Sequence, residues 1–90
     1  MTRRLPVFFL PDMPVQLTIY IREGCHLCDD MELALQECKS ELDFETWRVP
    51  IDNNKELEES YGTKVPVLVC GDQEVCHYFL DMQALKQVLS

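Results

Sequence analysis

Residues 16–42 read QLTIYIREGCHLCDDMELALQECKSEL, and this stretch decides the fold. Its first six residues alternate apolar and polar side chains, which is the pattern of a half-buried β-strand. From Met31 to Leu42, apolar side chains recur at spacings of three and four, which predicts a helix with one apolar face. Cys25 and Cys28 lie between the two elements, where the helix is expected to begin.

The motif Cys25-His26-Leu27-Cys28 has the spacing of a redox-active dithiol. Two cysteines three positions apart on the first turn of a helix are close enough to form a disulfide, and the helix N-terminus stabilises a thiolate there. Because a thiolate is the nucleophile of disulfide exchange, we expect Cys25 to attack and Cys28 to resolve the mixed disulfide. His26 either assists the sulfur chemistry or is an exposed side chain that merely fits the turn.

Composition limits the function classes. The chain has 90 residues, enough for one domain, and its net charge is -8 with a pI near 4.5. Such an acidic chain is a poor partner for nucleic acid or an anionic membrane, and no apolar run approaches the ~20 residues that cross a bilayer. Five cysteines fit no closed disulfide framework, so we expect a cytoplasmic protein.

The remaining elements follow from periodicity and turn residues. Residues 1–14 contain three of the five prolines and predict an irregular N-terminal arm before a single domain at 15–90. We predict a strand at 44–51, a short helix at 55–61, an antiparallel hairpin of strands at 65–70 and 74–79, and a last helix after Asp81. The order β-α-β-α-β-β-α predicts an α/β fold, a central four-stranded mixed sheet flanked by helices, which resembles the thioredoxin fold.

Three segments carry a closer resemblance: REGCHLCDDM at 22–31, VPID at 49–52 and YGTKVPVL at 61–68. Together they resemble the small glutaredoxin-like family over residues 16 to about 82. The resemblance implies a thioredoxin/glutaredoxin-like fold and a thiol-disulfide oxidoreductase that acts on a disulfide-containing protein or a small thiol substrate, with a reductase as electron donor and no tightly bound cofactor. It also implies that the bond between Val65 and Pro66 is cis beside the dithiol, and that the Val65 backbone pairs with the incoming substrate.

The sequence departs from typical glutaredoxins where glutathione docks. Those proteins commonly have Pro-Tyr between the cysteines and Gly-Gly before an Asp, whereas this chain has His26-Leu27 and Phe79-Leu80-Asp81. Arg22 and Lys64 could hold a glutathione carboxylate, or they are solvated surface charges. Glutathione is therefore one candidate co-substrate. Because it is an anion, we expect a reductase of the thioredoxin-reductase kind to be the better donor.

Two other functions stay open at this point. The first is a non-catalytic thioredoxin-fold module that docks a partner through its acidic surface. The second is a metal-binding protein, since His77 and Cys76 could join the dithiol around zinc or an iron-sulfur cluster. Because the spacing of Cys70 and Cys76 matches no common zinc finger, we predict no metal site.

The other cysteines and aromatic residues have ordinary structural explanations. Cys70 and Cys76 flank the predicted hairpin turn and are either a second redox pair or small buried apolar groups. Cys38 shares the apolar face of the first helix, so we expect it in the core. Trp47 and Tyr78 fall in predicted strands, and we expect them to pack within the sheet rather than contact a substrate.

Overall fold

The computed structural model describes residues 15–89, which form a four-stranded mixed sheet and three helices. The elements are β1 (Val15–Ile21), α1 (His26–Cys38), β2 (Phe44–Pro50), α2 (Lys55–Tyr61), β3 (Val67–Cys70), β4 (Gln73–His77) and α3 (Met82–Leu89). Their order confirms the predicted β-α-β-α-β-β-α thioredoxin-like architecture. The predicted N-terminal arm lies outside the described residues. No helix within residues 15–89 is long and apolar enough to cross a bilayer.

The strand order across the sheet is β2-β1-β3-β4. β1 and β2 are parallel, β3 is antiparallel to β1, and β4 is antiparallel to β3. The end of β1, the start of β3 and the end of β4 therefore lie at one edge of the sheet. Tyr20 pairs with Val67, which in turn pairs with His77. We call this the dithiol edge, and it comprises the loops at 22–25, 63–66 and 78–81.

The core explains why the predicted strand and helix pack together. One face of β1 is fully buried, and α1 contributes Met31 and Leu35, each 2% exposed, to the same cluster. Leu85 brings α3 onto that face, with no exposed surface at all. Burial of such side chains stabilises the fold by roughly 1.5 to 3 kcal/mol each. The alternating pattern of residues 16–21 thus predicted the buried face correctly.

Several element boundaries differ from the predictions, most of all those of α1, β3 and β4. α1 begins at His26 and ends at Cys38, so it starts earlier than the apolar pattern indicated, and Leu42 lies beyond it in a turn where its N-H donates to the Cys38 carbonyl. β3 begins only at Val67, since Pro66 has no N-H to donate to a neighbouring strand. β4 ends at His77 because Tyr78 has a φ of +66°, which strand residues do not adopt.

Side chains cap the starts of α2 and α3. The Asn54 side chain accepts a hydrogen bond from the Leu57 N-H at 3.1 Å, which starts α2. The Asp81 side chain accepts one from the Ala84 N-H at 3.1 Å at the start of α3. Each cap satisfies a backbone donor that the helix leaves unpaired, which is worth about 1 kcal/mol.

Candidate active site

Cys25 and Cys28 form a disulfide at the start of α1. Their Cα atoms are 5.2 Å apart, within the range that a disulfide requires. Cys25 is the N-cap residue of α1 in an extended conformation, and its Sγ accepts a hydrogen bond from the Cys28 N-H at 3.1 Å. The structure therefore places the first sulfur where the sequence predicted, against an unpaired helical N-H and the positive end of the helix dipole.

The two sulfurs differ in exposure. Cys28 is 1% exposed and belongs to the hydrophobic core cluster. Cys25 is half-buried and packs against the edge of that cluster. An incoming disulfide can therefore reach Cys25 directly, whereas Cys28 lies behind it. This asymmetry is the arrangement that an attacking and a resolving thiol require.

The surface around the dithiol is acidic. Asp29, in the first turn of α1, and the adjacent Asp30 are exposed, and within residues 15–89 neither forms an ion pair. His26 is exposed and has no side-chain partner in the same part of the chain. A role for His26 in the sulfur chemistry therefore stays a prediction.

The loop before β3 lies at the dithiol edge. The peptide bond between Val65 and Pro66 is cis, as the resemblance to glutaredoxins implies. Val65 packs against the same core cluster as Cys25, and the Pro66 carbonyl accepts a hydrogen bond from the Tyr78 N-H at 2.9 Å. This hydrogen bond holds the loops at 63–66 and 78–81 together.

Arg22 already has partners within the fold. Its guanidinium donates to the Gly62 carbonyl at 3.3 Å and lies 3.5 Å from a Glu58 carboxylate oxygen and 3.9 Å from one of Asp52. These contacts link the loop after β1 to α2. A glutathione carboxylate at Arg22 would have to compete with them, so its predicted role in substrate binding remains a prediction.

Lys64 is engaged in the same way. Its Nζ donates to a Glu74 carboxylate oxygen at 2.7 Å, and the other oxygen of Glu74 lies 2.7 Å from His77 Nδ1. Two hydrogen bonds hold the pKa of the Glu74 carboxyl below its usual value. The bond from Lys64 has the larger effect and the bond from His77 the smaller one. The two cations at the dithiol edge are thus neutralised locally.

Cys70 and Cys76 do not face each other across the hairpin. The register pairs Cys76 with Leu68 and Cys70 with Gln73, with an irregularity between Leu68 and Val69, and both thiols are free. Burial raises the pKa of the Cys76 thiol, although a hydrogen bond with the Asp81 backbone partly opposes this effect. The structure thus gives no support to a second redox pair at these cysteines.

Cys38, expected in the core, lies at its rim instead. It is half-buried, and its thiol donates a hydrogen bond to the Met82 sulfur at 3.4 Å. The two residues line a cavity of about 370 Å³ between α1 and α3. Cys38 is ten residues along α1 from the buried member of the dithiol, so it takes no part in that site.

The metal interpretation gains no support. Within residues 15–89, no group of three or more His, Cys, Asp or Glu side chains is arranged to hold a metal ion. His77 contacts Glu74 rather than a thiol, and Cys25 and Cys28 are bonded to each other.

The predictions for the aromatic residues are confirmed in part, since Trp47 lies in a strand and Tyr78 does not. Trp47 is 61% exposed on the edge strand β2, where its indole N-H donates to Gln16. Tyr78 lies beyond β4 rather than in it, and Phe79, at the dithiol edge, is 67% exposed. The sequence did contain a signal, since three consecutive large apolar residues at 78–80 break the alternation of a half-buried strand.

Comparisons with known proteins agree with the fold. Residues 16–90 match the Glutaredoxin-like domain (DUF836) family. Among solved structures, the protein Ne2328 of Nitrosomonas europaea is 37% identical over all of both chains, with a TM-score of 0.80. The protein XcR50 of X. campestris is 33% identical, covers 81% of this chain and 93% of its own, and has a TM-score of 0.59.

A mutant thioredoxin of Halobacterium salinarum supports the fold alone. It is 24% identical, with coverage of 91% of this chain and 77% of that one, and its TM-score is 0.54. No curated protein matches the chain. The family match over nearly the whole chain, together with a cysteine pair at the start of α1 in a thioredoxin fold, shows that this chain belongs to the glutaredoxin-like domain family.

Proposed function

We propose that the protein is a thiol-disulfide oxidoreductase that uses Cys25 and Cys28 to reduce or exchange disulfides. The observation that carries this proposal is the asymmetry of the pair. Cys25 is accessible and its sulfur accepts an N-H at the helix start, whereas Cys28 is buried directly behind it. A packing role for two cysteines would require neither the accessible sulfur nor the helix-capping geometry.

The reaction follows from this geometry. In the reduced protein, the Cys25 thiolate attacks one sulfur of the target disulfide, forms a mixed disulfide with it, and releases the other target sulfur, which takes a proton. The Cys28 thiolate then attacks the Cys25 sulfur, forms the Cys25–Cys28 disulfide, and releases the second target thiol. The target gains two electrons and two protons, and the protein loses them.

Substrate docking is proposed at Val65. Neither the N-H nor the C=O of Val65 has a hydrogen-bond partner among residues 15–89, and Val65 packs on the same cluster as Cys25. Unpaired backbone groups beside a strand can pair with an extended segment of a second chain. This supports an arrangement in which the substrate backbone pairs with Val65 while its disulfide reaches Cys25.

A reductase of the thioredoxin-reductase kind is the proposed electron donor. The support is electrostatic, since the net charge is -8 and both cations at the dithiol edge, Arg22 and Lys64, already contact carboxylates. Glutathione is an anion and should be attracted weakly. At matched enzyme concentration, turnover should therefore be faster with such a reductase than with glutathione and its reductase. If the glutathione assay is faster and Arg22→Glu abolishes it, Arg22 is a glutathione site.

The oxidoreductase and the non-catalytic module differ in one measurement. A redox titration of the dithiol, followed by mass-tagging of free thiols, should give a reversible transition near the cytosolic glutathione potential, and Cys25→Ser should abolish disulfide reduction. Cys38→Ser is the matched control, since Cys38 is another half-buried thiol on α1. If Cys25 reacts no faster than Cys38 and no reversible transition is found, the chain is a non-catalytic module.

A further inference from the structure

A large apolar side chain is exposed beside the proposed active site. Phe79 is 67% exposed in the loop that follows β4, at the dithiol edge. His77 is separated from Tyr20 by the single strand β3, so β4 and β1 lie about 10 Å apart there. Phe79 is therefore close enough to the start of α1 to contact a polypeptide whose disulfide is bound at Cys25.

The backbone before Phe79 is held in an unusual conformation. Tyr78 has a φ of +66°, a region that a bulky side chain rarely adopts. Its N-H donates to the Pro66 carbonyl at 2.9 Å, and its hydroxyl donates to the Thr63 carbonyl at 2.6 Å. Strained conformations of this kind persist only where the surroundings hold them, and they are concentrated at functional sites. Tyr78 thus ties the loop at 78–81 to the loop at 63–66 and directs the chain so that Phe79 faces solvent.

Acidic side chains without ion pairs follow both the dithiol and Phe79 along the chain. Asp29 and Asp30 form no ion pair within residues 15–89, and Asp81 caps α3 only two residues from Phe79. The two cations of the dithiol edge, in contrast, are neutralised by carboxylates. A partner that binds at both Cys25 and Phe79 therefore meets one exposed apolar side chain and acidic side chains that have no cation of their own.

We infer that Phe79 is a specificity-determining contact for a protein substrate in which an apolar or aromatic residue and a Lys or Arg flank the disulfide. This inference rests on the proposed oxidoreductase function and adds a substrate class to it. An extended segment advances about 3.3 Å per residue, so a side chain roughly three positions from the target cysteine reaches Phe79. Its basic neighbour would then lie near Asp29, Asp30 or Asp81.

The test compares three disulfide substrates. One is 2-hydroxyethyl disulfide, which has no flanking residues. The other two are peptide disulfides that are identical except that one carries Phe and Lys near the cysteine and the other carries Ser and Glu. The variants are Phe79→Ser, Phe79→Trp and the control Leu33→Ser, since Leu33 is 60% exposed on α1. Circular dichroism checks that each variant is folded.

We expect the wild-type protein to prefer the Phe/Lys peptide, with the preference reduced by high salt. Phe79→Ser should lower kcat/KM for this peptide about tenfold, mainly through KM, because the variant loses the burial of one aromatic side chain. Phe79→Trp should retain the preference, and Leu33→Ser should change neither peptide rate. Reduction of 2-hydroxyethyl disulfide should stay within about twofold in all three variants, because this substrate is too small to need the contact.

Two results overturn the inference while leaving the proposed function intact. One is equal kcat/KM for the two peptides in the wild-type protein. The other is a loss in Phe79→Ser that is as large for 2-hydroxyethyl disulfide as for the Phe/Lys peptide. A wild-type protein that reduces none of the three substrates overturns the proposed function itself, so the two failures are distinguishable.

Discussion

Replacing Cys28 with serine should leave the attack by Cys25 intact and slow the release of the substrate about a thousandfold. The two Cα atoms are 5.2 Å apart. One thiol confined to a sphere of about that radius has an effective concentration of about 3 M, whereas glutathione added at about 1 mM is roughly three thousand times more dilute. Without Cys28, the mixed disulfide must wait for this external thiol, so it should accumulate.

The assay mixes the reduced protein with a peptide disulfide, quenches the reaction with acid, and measures the adduct by mass spectrometry. In the wild-type protein the adduct should be transient, and in Cys28→Ser it should persist and map to Cys25. Cys38→Ser should behave as wild type, because Cys38 lies in the last turn of α1. The reasoning fails if the Cys28→Ser adduct decays as fast as that of the wild-type protein, or if Cys25→Ser forms the adduct at Cys28 instead.

Three further measurements test the electrostatics and the core. Because burial raises the pKa of Cys76, iodoacetamide at neutral pH should label Cys25 of the reduced protein well before Cys76, and equal rates would contradict this. A hydrogen bond from Lys64 lowers the pKa of Glu74 from its usual value of 4.5. The contact between these two side chains therefore stabilises the fold above pH 4.5, and this stabilisation is lost as the pH falls through the lowered pKa of the folded protein. Glu74→Gln should lower the free energy of unfolding by less than about 1 kcal/mol at neutral pH, and urea titrations should show this difference vanishing in acid; a difference that persists there would refute the assignment. Leu85→Ala should lower the free energy of unfolding by about 2 to 5 kcal/mol, since Leu85 is fully buried, and a loss under 1 kcal/mol would mean that α3 is not packed on the core.

Elements with strong local signals were predicted well. α2 begins and ends at the expected residues because Asn54 caps it and Gly62 follows it. Both residues are direct neighbours of the helix in the sequence. The start of α1 was less clear, since its first turn is formed by the CxxC motif rather than by apolar periodicity. The buried position of Cys28 continues the spacing of Met31 and Leu35, so this part of the site could be found from sequence.

Residues whose role depends on distant partners were predicted poorly. Arg22 and Lys64 are indistinguishable from free surface charges in the sequence, because their carboxylate partners lie on α2 and β4. Cys70 and Cys76 do not face each other because the tight turn pairs Cys70 with Gln73 and leaves Cys76 opposite Leu68. Tyr78 was placed in a strand because β-propensity cannot indicate a positive φ that other loops stabilise.

The position of the dithiol at the start of a helix was set by local sequence, since helical and strand periodicities and capping residues act within a few neighbours. What surrounds that dithiol was decided by tertiary structure. The strand order brings the loops at 63–66 and 78–81 to the same edge as Cys25, although more than forty residues separate some of them along the chain. Hydrogen bonds from Tyr78 then hold these loops together and leave Phe79 exposed. Such contacts arise only when the whole sheet is assembled, because they depend on strand register and packing rather than on neighbouring residues.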